Sequence, residues 1–203
     1  MVIYRVLDEV FRSWSNVAVL RALLDTASGH SGNEIARISG MHPRSALKAL
    51  TSLEELGIVR RQRGGRDHLF TLNRQHVLIR DAILPLYSVE RRFPGAMLTA
   101  LSTLLKKSVI SAIVFGSVAR KEETPKSDID ICCIVKSEKE KDTVRRILDS
   151  RSHSIYEKFG VKISPIFFTL EEFQKKSKNS LVKEMLKEGI LIVGKNPRIL
   201  LNV

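Results

Sequence analysis

The sequence predicts an α+β protein with two domains, the first largely helical and the second built from alternating strands and helices. Three helical patterns followed by two short β-runs around a glycine pair predict the first domain. Long apolar β-runs that alternate with helical stretches predict the second, because this alternation is typical of a sheet covered by helices. The pattern changes near Phe93-Pro94-Gly95. We therefore expect domains over residues 1–75 and 94–203, with a connecting helix over residues 76–93.

The composition of the 203 residues excludes several classes of protein. With 43% hydrophobic and 28% charged residues, the chain is neither disordered nor solenoid-like. Its apolar runs are far shorter than the roughly 20 residues of a membrane span. Asp8 and Glu9 interrupt the amino terminus, unlike a signal peptide. We therefore expect no membrane partner and a cytoplasmic location. The adjacent Cys132 and Cys133 support neither a disulfide framework nor a zinc site, and are expected to fill a strand.

The chain carries a formal net charge of +12, from 34 basic and 22 acidic residues. Lys and Arg clusters gain free energy from phosphates through counterion release, so this excess favours a polyanionic partner such as nucleic acid. The alternative is a basic surface that binds only counterions.

Three helical patterns occupy the first half of the chain. The first ends at Gly29, the second runs from Ser31 to Gly40, and the third begins at Pro43 and ends before Gly57. Glycine after a helix supplies the left-handed conformation of a carboxyl cap, and proline is tolerated in a first turn. The third helix has apolar residues on one face. Its opposite face carries Arg44, Ser45, Lys48, Thr51 and Ser52.

A basic β-hairpin is predicted after the third helix. Residues 58–63 and 66–72 are β-runs on either side of Gly64-Gly65, and glycine allows the positive φ that a tight hairpin turn needs. The hairpin carries four arginines within seven residues, namely Arg60, Arg61, Arg63 and Arg66.

Three short helices and a basic hairpin resemble the winged helix-turn-helix of bacterial and archaeal transcription regulators. The resemblance covers residues 16–73, and residues 46–61 are similar to that family's recognition helix and its run into the wing. It implies binding of double-stranded DNA, with Arg44, Ser45 and Lys48 in the major groove and the four hairpin arginines on phosphates or in the minor groove. Such proteins often dimerise on paired half-sites, so a homodimer is expected. The alternative is a fold that mediates protein contacts.

Two segments leave alternatives open. Residues 76–90 read as a connecting helix with Pro85 as a candidate kink, packed either between the domains or against a second copy. Residues 190–194 form an apolar run that is either a final strand of the sheet or a buried cover.

The second half contains a phosphate-and-metal pattern. The apolar run 109–115 leads into Gly116-Ser117, and ten residues separate Ser117 from Asp128-Ile129-Asp130. Glycine lets a phosphate approach the backbone, and the serine hydroxyl can donate a hydrogen bond at the start of a helix. Residues two apart on a strand share a face, so Asp128 and Asp130 can share a hard divalent cation. One metal ion would hold phosphates, and two could stabilise the attacking and leaving oxygens.

This pattern, with Ser127 before the first aspartate, resembles the nucleotidyltransferases of the DNA polymerase beta superfamily, and most closely the minimal nucleotidyltransferases. The resemblance covers residues 96–173 and implies a small α/β domain with a mixed sheet. It implies that Asp128 and Asp130 are catalytic and ligate Mg2+, and that the substrate or ligand is an NTP, with ATP expected. The residues expected to bind the triphosphate are Gly116, Ser117, Arg120, Lys126 and Ser127. The alternative is a surface Ser-Asp-Ile-Asp turn.

One element of that family's pattern is missing. The family has a third carboxylate on the strand after the next helix, but that strand is expected at residues 161–168 and contains no acid. The period of two places Lys162 and Ser164 on the face where the acid is expected. Glu171 and Glu172 follow the strand and are expected in the first turn of the next helix, where acids favour the dipole.

Three functions are compatible with these features. The first is Mg-dependent transfer of a nucleoside monophosphate from an NTP to a hydroxyl acceptor, which in similar proteins can be a tyrosine of a HEPN-type toxin, as in an antitoxin. The second is a DNA-binding transcriptional regulator whose catalytically degenerate second domain senses a nucleotide without turnover, which the missing acid favours. The third is an antitoxin that acts by occlusion.

Overall fold

The computed structural model describes residues 3–64 and 67–201. It divides into two compact units, one ending at Arg92 and the other beginning at Phe93. Each unit has a hydrophobic core of its own. In the described part of the chain, no helix combines the length and apolarity needed to cross a membrane.

The first unit is a helical bundle with a small antiparallel sheet. Its helices are α1 (Val6–Val10), α2 (Trp14–Leu24), α3 (Gly32–Ile38) and α4 (Pro43–Glu55), and its strands are β1 (His30–Ser31), β2 (Val59–Gly64) and β3 (Asp67–Leu72). The strand order is β1-β3-β2. The predicted hairpin is confirmed, because β2 and β3 pair from Val59 opposite Leu72 to Gly64 opposite Asp67. Gly64 therefore belongs to β2, whereas Gly65 and Arg66 lie outside the described residues.

Local hydrogen bonds fix where these helices begin. At α3 the hydroxyl of Ser31 accepts from the N–H of Glu34, and the Glu34 carboxylate accepts from the N–H of Ser31 at 2.7 Å. This reciprocal cap satisfies two helix-end donors. At α4 the ring of His42 accepts from the N–H of Arg44, and Pro43 occupies the first turn as expected. The helices then bury Leu20, Leu23, Ile35, Leu50 and Leu53 in the first core.

The segment after the hairpin differs from its prediction. A π-helical turn at Ile79–Ile83 leads into α5 (Leu84–Leu105), which continues through Pro94. The connecting helix predicted over residues 76–93 is therefore longer than expected, although Pro94 has no N–H for the carbonyl of Glu90. Ile79, Ile83 and Tyr87 belong to the core of the first unit. Met97 and Leu101, which follow Pro94, are buried as well, so burial on both sides of the proline opposes its local helix-breaking signal.

The second unit is a four-stranded mixed sheet with helices on both faces. In chain order its elements after α5 are β4 (Ser111–Phe115), α6 (Gly116–Arg120), β5 (Ile129–Val135), α7 (Glu138–Phe159), β6 (Ile163–Thr169), α8 (Leu170–Lys175), α9 (Ser180–Glu188), β7 (Ile190–Gly194) and α10 (Pro197–Leu200). The order is β6-β5-β4-β7, with only β5 and β6 parallel. The predicted mixed sheet is confirmed, and residues 190–194 form a strand beside β4.

Strand β5 separates two layers of core. Ile129, Ile131 and Cys133 pack with α5 and α7, whereas Cys132 and Ile134 pack with α8, α9 and α10. Burial raises the pKa of both thiols, to about 12 for Cys133, as expected for cysteines that only fill a strand. Since side chains alternate along β5, Asp130 lies on the α8–α10 side at the beginning of the strand.

Candidate active site and DNA-contact surface

The turn from β4 into α6 places the backbone of Gly116 against the carboxylate of Asp130. Phe115 at the end of β4 pairs with Asp130 of β5, and Gly116 follows with φ of +71°. A Cβ on Gly116 would collide with Oδ2 of Asp130. The positive φ favours glycine at this position, and a larger residue would also require the carboxylate of Asp130 to move.

Asp128 and Asp130 flank a buried residue at the start of β5. Ile129 is buried and its N–H donates to the carbonyl of Lys162 at 2.8 Å. This bond fixes the chain between the two aspartates. Because successive side chains of a strand point to opposite faces, both carboxylates point to the face opposite the one on which Ile129 is buried. Asp130 is half-buried and Asp128 is exposed. The two carboxylates predicted from the motif thus lie at one corner of the sheet.

The loop before Asp128 is closed by Ser127. Its hydroxyl accepts from the N–H of Thr124 at 2.9 Å, and its N–H donates to the Thr124 carbonyl at 2.9 Å. Ser127 therefore shapes the turn, and its expected contact with a nucleotide stays a prediction. Lys126 is exposed at the tip of this turn, and no carboxylate pairs with it in the residues that the structure describes.

Arg120 has partners that the sequence did not indicate. Its guanidinium donates to Glu122 at 2.9 Å and to Glu184 of α9, and Glu188 lies 3.7 Å away. The hydrogen bonds to Glu122 and Glu184 raise the pKa of Arg120. Arg120 thus ties α6 to α9, and the prediction that it binds a triphosphate requires that it leave these carboxylates.

Ser164 occupies the position beside Asp130. In the parallel pairing of β5 and β6, Ser164 lies opposite Asp130 and Ile163 lies opposite Ile129. The neighbouring Ile166 and Phe168 belong to the same core layer as Cys132 and Ile134, so Ser164 shares a face with Asp130. The register therefore places Ser164 beside Asp130, and Lys162 lies two residues earlier; that this is the position of the family's third carboxylate stays a prediction.

The two acids that follow β6 are engaged elsewhere. Glu172 caps α8 through the N–H of Thr169 and binds the ammonium of Lys141, which is largely buried. Glu171 binds Lys175 on the surface. Over the described ranges 3–64 and 67–201, no group of three His, Cys, Asp or Glu residues could hold a metal ion.

The donor set at this corner fits a hard divalent cation with few protein ligands. Two carboxylates, one of them seated against the bare backbone of Gly116, are oxygen ligands of the type that Mg2+ uses with substrate phosphates. Asp128 and Asp130 are the residues that would hold it. The remaining ligands would come from a nucleotide and water.

The exposed face of α4 borders a groove of the first unit. Arg44, Ser45 and Lys48 are exposed, as predicted, and line a groove of about 840 Å3. The opposite wall comes from the start of α2 with the residues before it, namely Arg12, Ser13, Ser15 and Asn16. The sequence did not indicate these residues, because their closeness to α4 depends on how α2 packs on α4.

The hairpin arginines do not share one face. Arg61 lies opposite Phe70 and Arg63 opposite His68, whereas Arg60 points to the other side of the strand. Arg61 pairs with Glu54 at 3.1 Å, and Arg60 donates to Gln75 at 3.2 Å. Arg63 is exposed, and Arg66 lies outside the described residues. Arg61 and Arg44 both line a second groove, of about 280 Å3, between α4 and the hairpin.

Replacing Gly116 with Ala tests the contact with Asp130. We expect the free energy of unfolding to fall by about 1–3 kcal/mol, because an L-residue is strained at this φ and its Cβ displaces the carboxylate. Urea denaturation measures the change. Gly95→Ala is the matched control, since a Cβ there meets no atom within 4 Å and α5 favours alanine. Unchanged stability of Gly116→Ala would contradict the steric role of this glycine.

Two family models match the chain. The nucleotidyltransferase domain matches residues 96–192, which include Gly116, Asp128 and Asp130. The IclR helix-turn-helix domain matches residues 17–63, which include α4. A comparison with curated proteins finds no match. Both family matches confirm the domain types expected from the sequence: the chain joins an amino-terminal helix-turn-helix domain of the IclR type to a nucleotidyltransferase domain.

Proposed function

We propose that the chain is a DNA-binding nucleotidyltransferase that transfers a nucleoside monophosphate from an NTP, with ATP as the expected donor, to a hydroxyl acceptor. The observation that carries the proposal is the corner formed by Gly116, Asp128 and Asp130 within the nucleotidyltransferase domain. A glycine without room for a Cβ and a carboxylate held against it suit a phosphate chain and its cation.

The residues of this corner have separate roles in the proposed reaction. Gly116 and Ser117 receive the phosphates, and Asp128 and Asp130 hold Mg2+, which when bound offsets the charge of the triphosphate. The acceptor oxygen forms a bond to the α-phosphorus while the bond from that phosphorus to the bridging oxygen breaks. Pyrophosphate leaves with the electron pair. The hydroxyl proton passes to solvent, because Ser164 lies beside Asp130 in place of a carboxylate that could accept it.

The first unit supports binding of double-stranded DNA. Arg44, Ser45 and Lys48 are exposed on one face of α4, and Arg63 is exposed on the adjoining hairpin. A helix of this kind reads base edges in the major groove while basic residues around it contact phosphates. A homodimer on paired half-sites, and an antitoxin-like role with a tyrosine of a HEPN-type toxin as acceptor, are the finer parts of the proposal.

Ser164 favours a second candidate function. A hydroxyl neither ligates Mg2+ as a carboxylate does nor accepts the proton of the attacking hydroxyl. The chain would then bind a nucleotide without turnover, and the nucleotide would regulate DNA binding by the first unit.

Removing both aspartates tests the nucleotide site that the two candidates share. We expect Asp128→Ala with Asp130→Ala to weaken Mg-dependent binding of ATP at least about ten-fold, as loss of charged ligands implies. Isothermal titration of ATP and GTP, with and without Mg2+, measures this. Asp142→Ala with Asp149→Ala makes the same charge change on the exposed surface of α7 and should bind like the wild type. A wild type that shows no Mg-dependent binding would refute the site.

Restoring a carboxylate beside Asp130 distinguishes the two candidates. We expect Ser164→Asp to raise the rate of transfer about ten-fold or more, because the added acid can accept the hydroxyl proton. Transfer is measured as label retained on acceptors in a lysate from ATP labelled at the α-phosphate. Ser164→Asn is the matched control, of similar size and without charge. Retained ATP binding with no transfer by either the wild type or Ser164→Asp would favour the regulator.

The salt dependence of DNA binding tests the first unit. Lys48 and Arg63 are exposed, and neither pairs with a carboxylate in the part of the chain that the structure describes. We expect Lys48→Ala with Arg63→Ala to weaken binding and to reduce the slope of log affinity against log salt by about 1, near one unit for the phosphate contact of Arg63, because Lys48 is assigned to base edges. Lys106→Ala with Lys107→Ala removes the same charge from the turn after α5 and should leave the slope unchanged. An unchanged slope in the first variant would exclude this phosphate contact.

A further inference from the structure

A further basic cleft, in addition to the two grooves beside α4, lies in the first unit at the carboxyl end of α2. Its volume is about 440 Å3. Arg74, Arg91 and Arg92 line it together with the apolar Leu24, Leu84 and Tyr87. Three guanidinium groups therefore border one apolar depression.

Most of the hydrogen-bonding capacity of these arginines is unused. Arg74 donates one N–H to the carbonyl of Leu24 at 2.8 Å, and Arg92 donates its Nε–H to the carbonyl of Ser88 at 3.1 Å. Neither pairs with a carboxylate within residues 3–64 and 67–201. Arg91 pairs with Asp25 at 2.9 Å, on the exposed surface. A guanidinium has five N–H donors, so Arg74 and Arg92 each keep four.

The charge of the cleft favours an anion. Three positive lining residues against the single negative charge of Asp25 leave a net charge of +2, and like charges in one cleft repel each other. The fork of a guanidinium matches two oxygens of a phosphoryl group, and such charge-assisted pairs are stronger than neutral hydrogen bonds. The volume lies within the range of about 300–1,000 Å3 typical of small-ligand sites.

The cleft is separate from both sites described above. The groove beside α4 takes residues from the amino end of α2, whereas the cleft takes Leu24 from its carboxyl end. The 11 residues of α2 span about 16 Å at 1.5 Å each. Asp128 and Asp130 belong to the other unit.

We infer that this cleft binds a small phosphate-bearing ligand. Arg74 and Arg92 hold the phosphoryl oxygens, since both have donors to spare, whereas the charge of Arg91 is matched by Asp25. Tyr87 lies at the floor, where its hydroxyl is already bound to the carbonyl of Val17 at 3.0 Å, so its ring and Leu84 contact the apolar part of the ligand. The inference is independent of the transferase proposal.

Titration of the full chain with inorganic phosphate and with AMP tests the inference. The chain carries Asp128→Ala and Asp130→Ala, and EDTA is present, so that metal-dependent binding at the other site does not contribute. We expect one equivalent of each probe to bind, with AMP the tighter if its nucleoside meets the apolar floor. Adding Arg74→Ala with Arg92→Ala should weaken binding at least about ten-fold, the loss expected for a charge-assisted hydrogen bond.

Two further variants keep the test decisive. Ser88→Asp leaves both arginines in place and adds a carboxylate to the lining, so it should cause a similar loss even if the double arginine variant fails to fold. Lys106→Ala with Lys107→Ala makes the same charge change outside the cleft and should bind both probes normally. Absence of binding by both probes, or equal affinity in the Arg74, Arg92 and Ser88 variants, would overturn the inference. It would also be overturned if the arginine variant lost affinity only for DNA.

Discussion

The candidate active site depends on one close contact, in which the carboxylate of Asp130 lies where a Cβ of residue 116 would be. Three constraints meet there. The antiparallel register places Phe115 opposite Asp130, the positive φ of Gly116 turns the chain sharply into α6, and the missing side chain leaves space for the acid. Any residue larger than glycine would move either the carboxylate or the start of α6, the two parts that would contact a phosphate chain and its cation in the proposed function.

The parallel pairing of β5 with β6 then determines which chemistry this corner can support. Because the register is fixed over seven residue pairs, the position beside Asp130 can only be filled by residue 164. Serine there leaves the two aspartates without a third acid. Of the two acids that follow β6, Glu172 caps α8 and binds Lys141, and Glu171 binds Lys175. The two proposed functions, a transferase and a nucleotide-binding regulator, therefore differ in what they require of the side chain at position 164.

Features set by neighbouring residues were predictable from the sequence. The carboxyl cap of α3 at Gly40 and the proline at the start of α4 depend on residues a few positions apart, and the Gly-Ser and Asp-x-Asp pattern lies within about 15 residues. Features that depend on residues far apart in the sequence could not be predicted from it. Arg120 meets Glu184, which lies 64 positions away, and Arg91 meets Asp25, 66 positions away. The helix through Pro94 was missed for the same reason, since long-range burial opposes a local helix-breaking signal.

The net charge of +12 indicates a binding partner only when the basic residues that pair with carboxylates are separated from those that do not. Arg21, Arg61, Arg91 and Arg120 bind carboxylates, so much of their charge is already matched within the fold. Many other basic residues of the described chain have no such partner, and four of these form two separate groups, Lys48 with Arg63 and Arg74 with Arg92. One group surrounds the exposed face of α4, and the other borders the cleft at the far end of α2. In the cleft, Arg74 and Arg92 border the apolar side chains of Leu24, Leu84 and Tyr87, an arrangement that a charge serving solubility alone would not need. The same basic excess that indicates DNA therefore also indicates a second, smaller anion.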